Sequence, residues 1–363
     1  MNGAFETEAS AQVREVRLPM ARSFSHAGAV RRRSESVVFA LSGHGVTGYG
    51  ECAPRVYVTG ESSGDVVVGL TRWWRDHGSE VTRLLATDAL EHELLDWLHT
   101  TLTGHGANEV CALELAFTDW AEQAGRSARP ALPEPSCAAF VPVQDGSGRW
   151  SVPETVAGTA SVVKIKTVSD LAGTLERVRA ARDLVRGDVV VDANNAWQGD
   201  AAVAAAAACH DAGATWLEEP APARDYRTLR RIRAAGVKVL LDESVTTADD
   251  LRRAVAAEAL DAVNIRIAKC GGPRRALRIA RTAADQGVGR YYGVQVAEVG
   301  TLIPAGRRTA LADADPMAVE AGQSDLFFAP DQLWTAACPT DRTTAHLHGP
   351  TDGRLNGRHG HDR

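Results

Sequence analysis

The stretch SVVKIKTV, residues 161–168, decides how the rest of the chain reads. Val162, Val163, Ile165 and Val168 mark a strand, and Lys164 and Lys166 interrupt it. Side chains alternate along a strand, so the two lysines point to the same face. Two ammonium groups side by side on an apolar strand need a reason, and the flanking sequence supplies one.

Downstream, strand-type runs alternate with helical ones. VVKIK, DVVVDAN, TWLEEP, VKVLLDES, DAVNIRIAK and GVQVAE read as strands, preceded by AAFVPV. Between them lie amphipathic stretches such as DLAGTLERVRAARDLV and GGPRRALRIARTAADQG. Repeated strand-then-helix units with short connections mean a parallel sheet. Their recurrence at roughly 25 residues favours a closed barrel over an open sheet. PMAVEAGQSDLFF is expected to hold the last strand.

Upstream, the texture differs. QVREVRLPM, SESVVFALSG and GVTGYGEC are short β-type runs. Three helical patterns follow, GDVVVGLTRWWRDHG, ALEHELLDWLHTTLTG and NEVCALELAFTDWAEQAG, each expected to stop near its glycine. The expected fold is therefore α/β: an α+β capping domain over residues 1–135, a barrel over 136–330, and a segment 331–363 that returns to the cap or frays. The Pro-rich ARPALPEPS, 128–136, would link the first two.

Composition narrows the partners. The 363 residues are 44% hydrophobic with a net charge of −6, so the basic footprint of a nucleic-acid binder is missing. The basic run Arg31–Arg33 is short and reads as a solvated face. No window approaches the ~18 apolar residues of a membrane span. Six cysteines without CxxC spacing suggest a reducing compartment. The chain reads as cytoplasmic.

In a barrel, catalytic residues lie at the C-terminal strand ends. Those ends carry Lys164 and Lys166, Asp192 and Asn194, Glu218 and Glu219, Asp242 and Glu243, Lys269, then Gln295 and Glu298. Crowded carboxylates without histidine or thiolate are costly unless a hard cation neutralises them. All-oxygen ligands suit Mg²⁺, with Mn²⁺ as a substitute. Lys166, before the carboxylates, and Lys269, expected on the strand after them, would flank a small carboxylate substrate. Lys164 and the cation would both disfavour the charged form of Lys166, as a base requires. The expected chemistry is proton abstraction beside a carboxylate, giving an enolate held by the metal.

The series KIK, DANNAW, LEEP, LDES and NIRIAKCGG resembles the enolase superfamily, specifically its muconate-lactonising subgroup. GYGECAP and VQVAEVGTLIPAGRR resemble it too, and the similarity runs from about residue 15 to 330. The resemblance implies a modified TIM barrel, (β/α)₇β, under an N-terminal cap. It implies Mg²⁺ on Asp192, Glu218 and Asp242, choosing Glu218 over Glu219 and Asp242 over Glu243. It implies Lys166 and Lys269 as the acid/base pair, with Lys164 assisting. Asn194, Glu219, Glu243, Gln295 and Glu298 would support the site or touch substrate. Cap loops 21–28 and 55–61 would set specificity through Phe24, His26 and Tyr57. Relatives of this kind that epimerise dipeptides carry Asp-x-Asp on the last strand; here VEAGQ offers only Glu320, which could pair a substrate amine. The subgroup points first to a racemase or epimerase. The alternatives are a cycloisomerase, a syn-dehydratase, or a non-catalytic binder of small molecules. Family analogy also implies a homo-oligomer.

Overall fold

Eight parallel strands close the barrel, in the order β10-β11-β12-β13-β14-β15-β6-β9. They are β6 (Ala138–Phe140), β9 (Ala160–Lys166), β10 (Asp188–Asp192), β11 (Trp216–Glu218), β12 (Lys238–Leu241), β13 (Ala262–Ile265), β14 (Gly289–Tyr292) and β15 (Ala318–Glu320). This computed structural model describes residues 8–26, 29–127, 138–140, 143–144, 150–151, 160–167, 170–295, 298–320 and 328. A small hairpin, β7 (Val143–Gln144) with β8 (Trp150–Ser151), lies between the first two barrel strands in sequence. Crossover helices follow the strands: α5 (Leu171–Leu184), α6 (Gly199–Asp211), α7 (Tyr226–Ala234), α8 (Ala248–Ala256), the short α9 (Ile267–Cys270), α10 (Pro273–Asp285) and α11 (Leu302–Leu311).

The N-terminal part pairs β1 (Ser10–Val16), β4 (Ser36–Gly43) and β5 (Val46–Cys52) in an antiparallel sheet, with β2 (Pro19–His26) and β3 (Ala29–Arg33) as a separate hairpin. After it come α1 (Val56–Thr59), α2 (Ser63–Leu85), α3 (Glu91–Thr101) and α4 (Ala107–Gln123). Gly50 lets β5 lie directly on α4: a Cβ there would meet the Ala112 carbonyl oxygen at 1.8 Å. Buried Phe39, Trp73, Phe117 and Trp120 fill the space between sheet and helices.

Several expected boundaries move. α2 runs through Gly78 to Leu85, because Val81 and Leu85 continue its buried face. β14 is GRYY rather than GVQVAE, since Tyr291 and Tyr292 supply the buried positions of the ladder. Residues 21–26 belong to a strand and 56–59 to a helical turn, where loops were expected. The linker 128–136 and the segment 331–363 lie outside the described residues. Among the described residues, no helix is long and apolar enough to cross a membrane. Cys52, Cys111, Cys209 and Cys270 are buried free thiols.

Two buried carboxylates of the N-terminal part tie it to the barrel. Glu51 accepts N–H bonds from Val299 (2.9 Å), Gly300 (2.7 Å) and Leu302 (3.4 Å) at the start of α11, and from the Ser36 hydroxyl (2.7 Å). Glu114 accepts from the Arg274 backbone N–H at the start of α10 (2.8 Å) and contacts His99 Nε2 (3.0 Å). Each satisfies donors that a helix N-terminus leaves open, where negative charge is favoured. Glu298 lies near the first of these ties. Burial, then the charge of Glu51, push it up to about 8.

Glu51→Ala therefore leaves several buried donors unmet and is expected to lose about 2–4 kcal/mol in urea unfolding; an unchanged midpoint would show that the tie contributes nothing. Glu298 gives a pH prediction. Its folded pKa of about 8 lies above the ordinary value of 4.5, so the folded state binds more protons between them. Its contribution to stability is fully present below that window and is lost as pH rises through it. Glu298→Gln has no proton to lose, so its unfolding free energy should fall less between pH 5 and 9 than that of the parent protein, in about that order of titration.

Candidate active site

Val162, Val190, Trp216, Leu240, Ala262, Tyr291 and Ala318 pack together as one buried cluster inside the barrel. Two residues further along the same strands stand Lys164, Asp192, Glu218, Asp242, Asn264, Gly293 and Glu320. Alternation keeps these on the same inner side, directly over that apolar floor. Asp192 faces Glu218 in register across β10 and β11, and Lys166 faces Asp192 across β9 and β10. Gly293 leaves room for Asn264, whose Oδ1 would lie 2.4 Å from a Cβ at that position.

The side chains form one buried ionic network. Lys164 Nζ lies 2.8 Å from Glu218, 3.1 Å from Glu320 and 3.4 Å from Asp192. Lys166 pairs with Asp192 and donates to Asn194 Oδ1 (3.1 Å). Lys269 pairs with Asp242 Oδ1 (2.7 Å) and donates to the backbone carbonyls of Asp242 and Val245. Arg266 donates to Asp242 Oδ1 (3.0 Å) and Gln295 Oε1 (3.1 Å). Asn194 reaches Glu243 at 3.5 Å, and Arg266 lies 3.8 Å from the same carboxylate. Glu219 turns away to hold the β12 turn, accepting from the Ser244 hydroxyl and the Asp242 N–H (2.7 Å).

The electrostatics follow from this packing. Burial alone would raise Asp192 and Asp242; Lys166 and Lys164 hold the first below the usual carboxylate range, and Arg266 and Lys269 hold the second there. Glu218 goes the other way. Burial and then repulsion from Asp192 push it well up, against the pull of Lys164. Burial, then Glu243, raise Glu219 to about 8. Burial would lower Lys164, but Glu218, Glu320 and Asp192 keep it firmly protonated.

Four expectations are corrected here. Lys269 stands on the short helix α9 beyond β13, not on the strand. Lys164, expected to tune Lys166, is instead held by three carboxylates, and its ammonium is committed to them. Glu320 already pairs an amine of this chain, Lys164, and also accepts from the Tyr291 hydroxyl (2.9 Å) and the Val294 N–H (2.9 Å). Asp192, Glu218 and Asp242 do not form a ready cage: as placed among the described residues, no three acidic, histidine or cysteine side chains stand where they could hold one metal ion, and these carboxylates are paired with Lys164, Lys166, Lys269 and Arg266 instead. Tyr57 is 55% exposed, whereas the side chains of Phe24 and His26 lie outside the description. Gln295 touches the network through Arg266, and Glu298 accepts from the Gln295 N–H (2.6 Å).

The donor set nevertheless fits a hard dication. Three buried carboxylates stand at consecutive strand ends, and their mutual repulsion raises Glu218 even beside a lysine. Glu243 Oε2 is buried without a hydrogen-bond partner among the described residues, another sign of surplus negative charge. Gathering the three carboxylates round an ion requires lysine and Arg266 contacts to be exchanged for it. Arg266, Asn264 and Tyr291 were missed as site residues. The signal was present: Asn264-x-Arg266 repeats the alternation of Lys164-x-Lys166.

Comparisons with known proteins agree with this architecture. A family model described as enolase C-terminal domain-like matches residues 151–336. The hydrophobic dipeptide epimerase of Enterococcus faecalis is 25% identical over 315 residues, covering 83% of this chain and 86% of that protein. The o-succinylbenzoate synthase of Mycobacterium tuberculosis is 37% identical over 152 residues, 39% of this chain and 46% of its own. The solved structure of the Enterococcus faecalis V583 dipeptide epimerase, complexed with Mg and L-Leu-L-Tyr, superposes with a TM-score of 0.69 at 21% identity, covering 86% of this chain and 89% of that one. The strand-end chemistry, the closed barrel and the match across residues 151–336 lead to one conclusion: the chain belongs to the enolase C-terminal domain-like family.

Proposed function

We propose that the protein is an isomerase that removes the proton α to the carboxylate of a small molecule, acting as a racemase or epimerase on amino-acid or dipeptide-like substrates. The observation that carries this reading is the order of groups round the barrel. Lys166 ends β9 and Lys269 follows β13, so they bracket the strands that carry Asp192, Glu218 and Asp242. Inversion at carbon needs one group to take the proton and another to return it from the opposite face. A hard dication on the three carboxylates would supply charge neutralisation for the substrate carboxylate.

Lys166 is the group best placed to move a proton. Its side chain is 17% exposed and uses two acceptors, Asp192 and Asn194. Lys164 is buried and anchored by Glu218, Glu320 and Asp192, so it acts as a fixed positive charge that holds the carboxylates in place. Arg266 orients Asp242, and Glu219 fixes the backbone of the same residue.

One observation favours a second reading. Lys269 meets an acceptor for each of its three N–H groups, Asp242 Oδ1 and two backbone carbonyls. An ammonium held this way suits a stationary cation better than a proton shuttle. In that case Lys166 would serve as the one acid/base group, as in a syn-dehydratase, and the match to an o-succinylbenzoate synthase points the same way.

Incubation with Mg²⁺ in D₂O separates these outcomes. A panel of dipeptides, N-acyl amino acids and β-hydroxycarboxylates is followed by NMR. Deuterium entering the α position with inversion supports epimerisation, and loss of water supports the dehydratase. Saturable binding without exchange or turnover for any bound compound would leave a binder and overturn the proposal. Lys166→Ala should slow exchange by about 100- to 10,000-fold. Lys269→Ala should abolish inversion but allow slower one-sided exchange if both lysines carry protons. Chelation should stop exchange, and added Mg²⁺ should restore it.

A further inference from the structure

A second cleft, of about 690 Å³, lies between residues 58–61 of the N-terminal part and helices α8 and α10 of the barrel. Its wall is rich in arginine. Arg252 is neutralised by Asp249, an ion pair on α8 itself. Arg224 is paired with Asp250 at 3.4 Å. Glu61, the other acid on the wall, is engaged by the Asn108 side chain at 2.9 Å and its backbone N–H at 3.2 Å.

Arg275 and Arg278 differ. Among the described residues neither guanidinium has a hydrogen-bond or ion-pair partner, although the adjacent Arg274 binds Asp96 at 2.6 Å. Three positions apart on α10, they share a face of the helix. Arg275 is half-buried and packs over Gly271, where a Cβ would meet its Cδ at 2.9 Å. Glu114, the acid whose charge acts on Arg275, is committed to the Arg274 N–H and His99. Burial lowers the pKa of Arg275; Glu114 offsets part of this, and the charge of Arg278 adds a smaller lowering.

A half-buried guanidinium without a partner, beside a second cation, is an unfavourable arrangement that an anion would relieve. The guanidinium fork matches the two oxygens of a carboxylate or phosphate. We propose that this cleft is an anion-binding site, separate from the carboxylate network at the barrel mouth, that takes an oxyanion between Arg275 and Arg278. The oxyanion is either a free small anion or a remote acidic group of the substrate. Because the cleft is walled by the cap segment on one side and barrel helices on the other, an anion there would fasten the two together. Lys269 also borders the cleft, while its ammonium is fully buried and bonded to Asp242 and Val245.

The test is calorimetric titration of the full chain with inorganic phosphate and with succinate. Saturable binding is expected, weakened at least about 10-fold in Arg275→Ser/Arg278→Ser. Arg278→Gln, at an exposed position, should weaken it in part and guards against misfolding of the double variant. Arg230→Ser, outside the cleft, controls for a general loss of positive charge and should leave binding unchanged. No saturation by either anion in the millimolar range, or equal binding by parent and Arg278→Gln, overturns the site. The D₂O exchange assay then distinguishes the source: phosphate that competes with substrate marks a substrate group, and phosphate that changes the rate without competing marks a separate ligand. The titration stands whether or not the proposed isomerase reading holds.

Discussion

Lys164 lies among Glu218, Glu320 and Asp192, and the remainder of the site is arranged around that buried ion cluster. Charges this deep are tolerated only when each is paired and hydrogen-bonded. The cluster therefore constrains its neighbours. Tyr291 must turn its hydroxyl to Glu320, Asn264 must donate to Glu218 at 2.9 Å, and Gly293 must stay small to admit Asn264. The same alternation that builds an apolar floor of Val162, Val190, Trp216 and Leu240 places charge one step above it. Stability and chemistry are thus stacked in successive layers of the barrel, the lower dry and the upper ionic.

The lysines are distinguished by how many acceptors surround them rather than by residue type. Lys164 meets three carboxylates, and Lys269 meets one carboxylate and two backbone carbonyls. Lys166, at the more open end of the same strand as Lys164, meets Asp192 and Asn194 among the described residues. Arg266 holds both oxygens of Asp242, so a cation proposed to bind that carboxylate would have to compete with Arg266 for it.

Glu51 and Glu114 serve a different purpose. Each carries a charge from the N-terminal part to the start of a barrel helix, where backbone donors would otherwise lack partners. These ties fix the N-terminal body against the barrel near its mouth. Glu51 also holds the backbone of residues 299–302, while Glu298 accepts from the N–H of Gln295, the residue that accepts from Arg266.

Much of this was legible in the primary structure. Apolar strands ending in KIK, DAN, LEE and LDE at regular spacing dictate a parallel barrel with an acidic, lysine-flanked mouth, because period-2 alternation is local and each strand end follows from its own residues. Alternation likewise determined that Lys164 and Lys166 share a face. Local pattern did not reveal which lysine would be saturated, because Lys164 meets Glu320 across 156 positions of chain. It did not reveal that Arg266 would take both oxygens of Asp242, or that Arg275 and Arg278 would find no partner among the described residues on a cleft wall. Those outcomes depend on barrel closure and on the docking of a second body against it. The reason is physical: backbone periodicity is written in neighbouring residues, whereas the pairing of buried charges is settled only when distant side chains compete for the same few partners in a space from which water has been removed.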